Sequence, residues 1–270
     1  MQTQWRTLVF IPTYNEAANV GDLYKEIESL GLGCDFLFLD DNSPDGTGDI
    51  IDRLAAANPR VHTIHRARKL GIGSAHVDGI HWAYVHGYEV LITMDCDFTH
   101  SPQRIPDFLD QAPAHHIVIG SRFMQKDSLP GWNAFRRALT YGGHFMTNFL
   151  LRMPLDATGA FRLYRLDRVP ADIFGLIVSK GYSFFFESLY VLWLNGAEVK
   201  EIPISLPART QGNSKMQIKD AYQSFRLLLK LLRRRIVEPK TLHYCAFPPV
   251  NDGGETITSG RSEAQSSGNL

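Results

Sequence analysis

Val90-Leu91-Ile92-Thr93-Met94 runs straight into Asp95-Cys96-Asp97, and this junction decides how the chain is read. A short, unbroken apolar run bounded by turn residues reads as a strand covered on both faces, as in a parallel sheet. Two upstream stretches repeat the arrangement. Leu8-Val9-Phe10-Ile11 leads to Pro12-Thr13-Tyr14-Asn15-Glu16, and Phe36-Leu37-Phe38-Leu39 leads to Asp40-Asp41. As parallel strands of one sheet, these runs carry their acidic ends to the carboxyl edge, where open α/β sheets bind ligands. Carboxylates gathered there repel one another unless a positive charge lies between them. Mg²⁺ is typically held by one or two carboxylates plus substrate phosphates, so the pattern points to an enzyme that handles a nucleotide-activated donor.

Working outward, strand and helix patterns alternate. Val61–His65 and Ile117–Gly120 read as further strands. Ala17–Leu30 reads as a helix with Val20, Leu23, Ile27 and Leu30 on one face. Ile50, Ile51, Leu54 and Ala55 mark a second, and Gly71 opens a third that runs through Ile80 and Tyr84. The class is α/β with a mostly parallel central sheet. From Trp132 the pattern changes. Ala134–Leu151 reads as a helix carrying Phe135, Leu139, Phe145 and Phe149, and its Gly142-Gly143 pair predicts a kink or a close backbone contact. Gly181–Leu194 reads as an aromatic-rich helix and Glu198–Leu206 as a strand.

Gln217–Ile236 reads as an amphipathic helix with Ile218, Tyr222, Phe225, Leu228, Leu229 and Leu232 on one side and Arg226, Lys230 and Arg233-Arg234-Arg235 supplying charge. Basic residues flanking an apolar face suit a helix lying on anionic lipid, although a packed surface helix has the same pattern. The expected organisation is a catalytic domain over 7–215, a basic membrane-surface helix over 216–236, and a disordered Gly-, Ser- and Asn-rich tail over 237–270.

The 28 basic and 28 acidic side chains cancel over 270 residues. The cancellation hides an asymmetry, because Arg209 to Lys240 holds nine Lys or Arg and two Asp or Glu. A basic arm of this kind is a candidate for contact with a membrane surface, and no nucleic-acid partner is expected. Cys34, Cys96 and Cys245 have neither disulfide-framework nor zinc spacing and read as reduced thiols. No stretch approaches the roughly 18 uninterrupted apolar residues of a membrane span. The expected location is therefore the cytoplasm, peripherally on the cytoplasmic face of a membrane. Neither G-x-G-x-x-G nor G-x-x-x-x-G-K-[ST] follows the first strand, which sets aside dinucleotide-binding and phosphate-loop readings.

Taken together, Pro12–Glu16, Asp40–Thr47, Asp95-Cys96-Asp97-Phe98-Thr99-His100-Ser101-Pro102 and Gly120-Ser121-Arg122 resemble family 2 inverting glycosyltransferases of the GT-A nucleotide-sugar-binding fold. Asp156–Arg162 and Arg209 through Gly212-Asn213-Ser214-Lys215 narrow the resemblance to dolichol-phosphate mannose synthases. The resemblance implies that Pro12, Tyr14, Glu16, Leu39 and Asp41 hold the guanosine of GDP-mannose, with Asp95, Cys96 and Asp97 completing the donor site. It implies Mg²⁺ or Mn²⁺ on Asp97 and Asp95. Thr99 stands where some members carry a metal-binding Gln, and is a further candidate ligand. Arg209 and Lys215 would close over the diphosphate, and Arg122, Arg136 and Thr140 would grip the phosphate of a dolichyl or other polyprenyl acceptor. Tyr141-Gly142-Gly143 and Ala160 depart from the commonest pattern. Some relatives add C-terminal membrane helices that this sequence lacks, so the further expectation is either a membrane-anchoring partner subunit or attachment by the amphipathic arm alone.

The acceptor sets the expected chemistry. A phosphate monoester has its second pKa near about 6 and is already a nucleophile at neutral pH, so no general base is assigned. Asp97, Arg122, Arg209 and Lys215 are the expected catalytic set, through alignment and stabilisation of the leaving diphosphate. The rival readings are a polyprenyl-phosphate glycosyltransferase using UDP-glucose or another nucleotide sugar, a non-catalytic lipid- or partner-binding relative, and, more distantly, a nucleotidyltransferase.

Overall fold

The computed structural model describes residues 4–208, 218–243 and 247, with side chains of the last helix described from Tyr222 onward. Seven strands form one sheet: β1 (Thr7–Thr13), β2 (Asp35–Asp40), β3 (Val61–His65), β4 (Val90–Thr93), β5 (Ile117–Ser121), β6 (Arg162–Arg165) and β7 (Val199–Pro203). Their spatial order is β3-β2-β1-β4-β6-β5-β7. Only β6 runs against its neighbours, pairing antiparallel with both β4 and β5. The helices are α1 (Val20–Ser29), α2 (Thr47–Ala57), α3 (Ile72–Val85), α4 (Ile105–Gln111), α5 (Ala134–Leu151), α6 (Phe184–Leu194) and α7 (Ile218–Val237).

The alternation of side chains along each strand feeds two cores. Leu8, Phe10, Leu37 and Leu39 face one layer with Ile80 of α3, Leu189 of α6 and Leu231 of α7. Val9, Ile11, Phe36 and Phe38 face the other with Leu23 of α1, Ile51 of α2 and Phe108 of α4. Each such fully buried side chain contributes roughly 1.5–3 kcal/mol, which is why these apolar runs dominate the fold.

The register aligns the strand tips: Pro12 pairs with Leu39, Thr13 with Asp40, and Phe10 with Thr93. Hydrogen bonds beyond the strands continue the alignment, from Asp41 N to Thr13 O and from Met94 N to Phe10 O.

The structure corrects several local expectations. Helix α1 begins at Val20, not Ala17, because the Glu16 carbonyl accepts the N–H groups of Asn19 and Val20 in a preceding turn. Among the described residues no close backbone contact occurs at Gly142-Gly143. Helix α5 is continuous there, and a Cβ at either glycine would meet nothing within 4 Å. In α7 the buried seam is Leu228 and Leu231, with Leu232 only half-buried, while Tyr222, Phe225 and Leu229 are exposed. The C-terminal arm over 209–217 and almost all of the tail beyond His243 lie outside the described residues.

Candidate active site

The tips of β1, β2 and β4 open into one cleft of about 1010 Å³. Pro12, Tyr14 and Glu16 enter it from β1, Leu39 and Asp41 from β2, and Asp95, Cys96 and Asp97 from β4. Arg122 after β5, and Arg136 and Thr140 on α5, line the same space. Glu16, Asp41 and Asp97 thus share one cavity, as parallel strands in this register require. Arg209 and Lys215 lie outside the described residues. The chain is led toward them by Leu206, which lines the cleft, and by Ala208, whose N–H donates to Pro130 O at 2.9 Å.

The run Asp40–Thr47 fastens the β1 loop. Ser43 Oγ accepts from Asn15 N, Thr47 Oγ1 from Glu16 N, and Asp45 Oδ2 from Ala17 N, all at 2.9–3.0 Å. The Asp40 carboxylate holds the base of this clasp, accepting from Thr13 Oγ1 and Ser43 N. Asp40 and Asp45 are therefore scaffolding, and the neighbouring Asp41 is the carboxylate that reaches the cleft. Asp41 Oδ1 accepts from Arg66 Nη1 at 3.0 Å, and Arg66 also binds Asp78 and Ser74. Lys69 sits with its Nζ 3.8 Å from the Tyr14 ring centroid, a cation–π geometry at the cleft wall. The segment carrying Lys69 docks closely on the α6 approach, since a Cβ on Gly73 would lie 2.6 Å from Gly181 O.

At β4 the chain turns sharply, with Phe98 at φ 59°. Thr99 N and Oγ1 both donate to Asp97 Oδ1, at 3.1 and 2.6 Å. Thr99 does not line the cleft; it orients Asp97. His100 Nδ1 accepts from Asp95 N at 2.9 Å and its ring stacks on Phe161. Among the described residues no group of three or more His, Cys, Asp or Glu is arranged to hold a metal by protein ligands alone. Two carboxylates from one turn instead fit a hard divalent cation whose shell is completed by substrate phosphates and water. Asp95 and Asp97 would hold it.

Arg122 is buried and locked to Asp156. Nε donates to Oδ2 at 2.8 Å, Nη2 to Oδ1 at 2.5 Å, and the backbone N–H to Oδ2 at 2.9 Å. Burial pushes the Asp156 carboxyl up, but the Arg122 charge and hydrogen bonds outweigh it and hold the pKa below the usual 3.8. This pairing, 34 residues apart in sequence, leaves Arg122 already neutralised. Arg136 lies over Trp132, its Cζ 3.7 Å from the ring centroid.

Beyond Arg136 the lining turns apolar: Phe135, Leu139 and Met146 of α5 face Phe185 and Phe186 of α6 and Phe225 and Leu228 of α7. Gly142 and Gly143 keep that half wide. Lys69, Trp132, Asp156 and Tyr182 are residues of this region that sequence reasoning did not single out. Only Asp156 carried a signal, through the motif ending at Arg162.

Comparisons with known proteins agree with this geometry. The sequence model of Glycosyl transferase family 2 matches residues 8–169. The chain is 36% identical over 212 residues to an undecaprenyl-phosphate mannosyltransferase of Micrococcus luteus, covering 78% of this chain and 87% of that protein. It is 37% identical over 214 residues to a polyprenol monophosphomannose synthase of Mycolicibacterium smegmatis, covering 78% and 81%.

Among solved structures, mannosyl-3-phosphoglycerate synthase from Rubrobacter xylanophilus superposes with a TM-score of 0.61 at 17% identity, over 87% of this chain and 75% of that one. Glucosyl-3-phosphoglycerate synthase from Mycobacterium tuberculosis, in complex with Mn²⁺, UDP and glucosyl-3-phosphoglycerate, gives 0.59 at 14% identity over 86% and 80%. These two share the GT-A fold. The acid-tipped sheet edge is thus part of a glycosyltransferase, and the chain belongs to Glycosyl transferase family 2.

Proposed function

We propose that this glycosyltransferase moves mannose from GDP-mannose to dolichyl or another polyprenyl phosphate, with inversion at the anomeric carbon. One observation carries the reading: a single cleft joins an acidic end, formed by Glu16, Asp41, Asp95 and Asp97, to an apolar end between α5, α6 and α7. The acidic end suits a nucleotide diphosphate bridged by a cation, and the apolar end suits a prenyl chain. The likeness to an undecaprenyl-phosphate mannosyltransferase of Micrococcus and a polyprenol monophosphomannose synthase of Mycolicibacterium supports mannose and a polyprenyl acceptor.

Among the described residues, α5, α6 and α7 contribute no Asp, Glu or His to the cleft lining. That half needs none. The acceptor oxygen already carries negative charge, and its attack displaces the nucleotide diphosphate without proton removal. Arg136 and Thr140 are proposed to orient the acceptor phosphate, with Arg122 supporting that wall through Asp156. Mg²⁺ or Mn²⁺, when bound at Asp95 and Asp97, supplies charge neutralisation for the leaving diphosphate. Arg209 and Lys215 are proposed to add to it.

We further infer that the enzyme works at a bilayer surface. No helix among the described residues is long and apolar enough to cross a membrane. Helix α5, however, buries only Thr147 and Leu151, leaving Phe135 at 69%, Phe145 at 63% and Phe149 at 69% exposure. It packs beside α7, whose Tyr222, Phe225 and Leu229 are also exposed. Exposed apolar side chains on two helices packed together, with exposed basic residues on one of them, suit the headgroup boundary.

The deciding assay offers radiolabelled GDP-mannose and UDP-glucose in parallel with a prenyl phosphate and counts label in the organic phase. Label from GDP-mannose alone is expected. Label from UDP-glucose alone overturns the donor, and label from neither overturns the acceptor.

A further inference from the structure

Four arginines are buried among the described residues: Arg66, Arg122, Arg162 and Arg165. Three have a carboxylate partner, namely Asp41 and Asp78 for Arg66, Asp156 for Arg122, and Asp167 for Arg165. Arg162 has none. It is 1% exposed, and all five of its N–H donors end on neutral oxygens. Nε donates to Gly159 O at 2.9 Å, Nη1 to Tyr164 Oη at 3.3 Å and Ser188 Oγ at 3.0 Å, and Nη2 to Ala157 O at 2.9 Å and Phe185 O at 2.7 Å. The Phe185 ring lies beside the guanidinium, 5.6 Å from Cζ to centroid.

Buried charges are ordinarily paired, because an uncompensated ion in a low-dielectric interior is costly. Five dipoles and a ring face solvate this one without cancelling its charge. Its position gives that charge a use. Two of the carbonyls it holds belong to Ala157 and Gly159, in the segment whose Thr158, Gly159 and Ala160 form a wall of the cleft. Thr93 Oγ1 donates to Ala160 O at 2.6 Å, tying the same segment to β4 two residues before Asp95. A trans peptide carries its N–H opposite its C=O. Drawing Gly159 O toward Arg162 therefore turns the Ala160 N–H away from the arginine.

We propose that Arg162 is a positioning residue for the anionic part of the substrate. Its uncancelled charge sets the peptides of the Thr158–Ala160 wall and stabilises a diphosphate lying in front of that wall. The proposal rests on the nucleotide-sugar reading of the cleft. A purely structural role, fastening β6 and α6 to this segment, would weaken every ligand alike. An electrostatic role weakens ligands according to their phosphate charge.

The test measures the affinity of the full-length protein for GDP and GMP, and for UDP and UMP, by calorimetry with Mg²⁺ present. In wild type the diphosphate binds more tightly than the monophosphate. Arg162→Met is expected to shrink that ratio by about tenfold, the scale of one unit charge acting across roughly 12 Å at an effective dielectric constant of about 20. Arg162→Lys, which keeps the charge with fewer donors, is expected to retain most of the ratio.

Ser188→Asp provides a variant that leaves the arginine in place. A carboxylate at that position, where Oγ is 3.0 Å from Nη1, cancels the charge and keeps a hydrogen-bond partner. It too should shrink the ratio, and it carries the test if Arg162→Met does not fold. A wild-type ratio in either folded neutralising variant overturns the role of Arg162 while leaving the nucleotide reading intact. A wild-type protein that binds neither pair overturns both.

Discussion

Asp41 Oδ1 and Arg66 Nη1 lie 3.0 Å apart with both side chains buried, so the carboxylate offered to the cleft is already held from behind. The same guanidinium reaches Asp78 on α3. Removing it leaves Asp41 buried with its charge uncompensated, at a cost of about 3–5 kcal/mol. Arg66→Met should lower the unfolding free energy in urea by that amount. A midpoint equal to wild type would show that the pair contributes nothing.

Thr99 supports Asp97 through two hydrogen bonds, and partners of this kind typically set metal affinity by about 10–100-fold. Thr99→Val should raise the Mg²⁺ or Mn²⁺ concentration for half-maximal transfer by at least about tenfold and leave kcat at saturating metal nearly unchanged. Asp97→Ala should lose turnover at every metal concentration. Metal titrations of the two variants separate the roles, and an unaltered metal requirement in Thr99→Val would remove Thr99 from the site.

His76 is fully buried against the rings of Phe10, Phe184 and Phe185. Burial, with smaller effects from the Arg162 and His100 charges, pushes its pKa from 6.5 down to about 3. Between those values the unfolded chain takes up a proton that the folded chain refuses. Stability from this group is thus present above pH 6.5 and falls as pH drops toward 3, by up to about 1.4 kcal/mol per unit. Asp156 adds a later loss in the same direction, since its depressed pKa makes its contribution vanish only below 3.8. Wild type should lose about 1.4 kcal/mol between pH 7.5 and 5.5, and His76→Leu should not. Equal slopes for the two proteins in urea titrations would contradict this.

The three consecutive arginines of α7 do not act alike. Arg234 donates to Thr241 O and Arg235 to Leu151 O, whereas Arg226, Lys230 and Arg233 are exposed at helical spacing. Replacing Arg226, Lys230 and Arg233 by Ser should weaken partition onto anionic vesicles by roughly 100-fold, at about 1 kcal/mol per basic residue. Phe145→Ser with Phe149→Ser should weaken it on neutral vesicles as well. Sedimentation unchanged in both sets would end the case for docking by these helices.

Much of the architecture was legible because β1, β2, β4 and β5 are short and almost wholly buried, and β3 falls on the residues its sequence marks. Strand β6 was not legible. Phe161-Arg162-Leu163-Tyr164-Arg165 places two arginines in a strand, a pattern that reads as surface, yet both are buried on partners as distant as Ser188 and Ala112. Local periodicity carries no information about such partners. Helix α4 escaped notice because it is seven residues long and begins within a Pro-rich stretch. At the site, the acids announced themselves by following apolar runs. Lys69 and the Arg122–Asp156 lock did not, since cation–π and ion-pair geometry appear only once the chain has folded.

The reversed direction of β6 has one more consequence. Strands β5 and β6 are neighbours, but the chain travels from Arg122 to Phe161 before returning, and α5 rides on that excursion. An antiparallel return lets the detour begin and end at one rim of the sheet. Helix α5 and the loops that flank it therefore form a cassette that can lengthen, shorten or diverge while the order of all seven strands stays fixed. The apolar half of the cleft can change there while the acids at the strand tips keep their places.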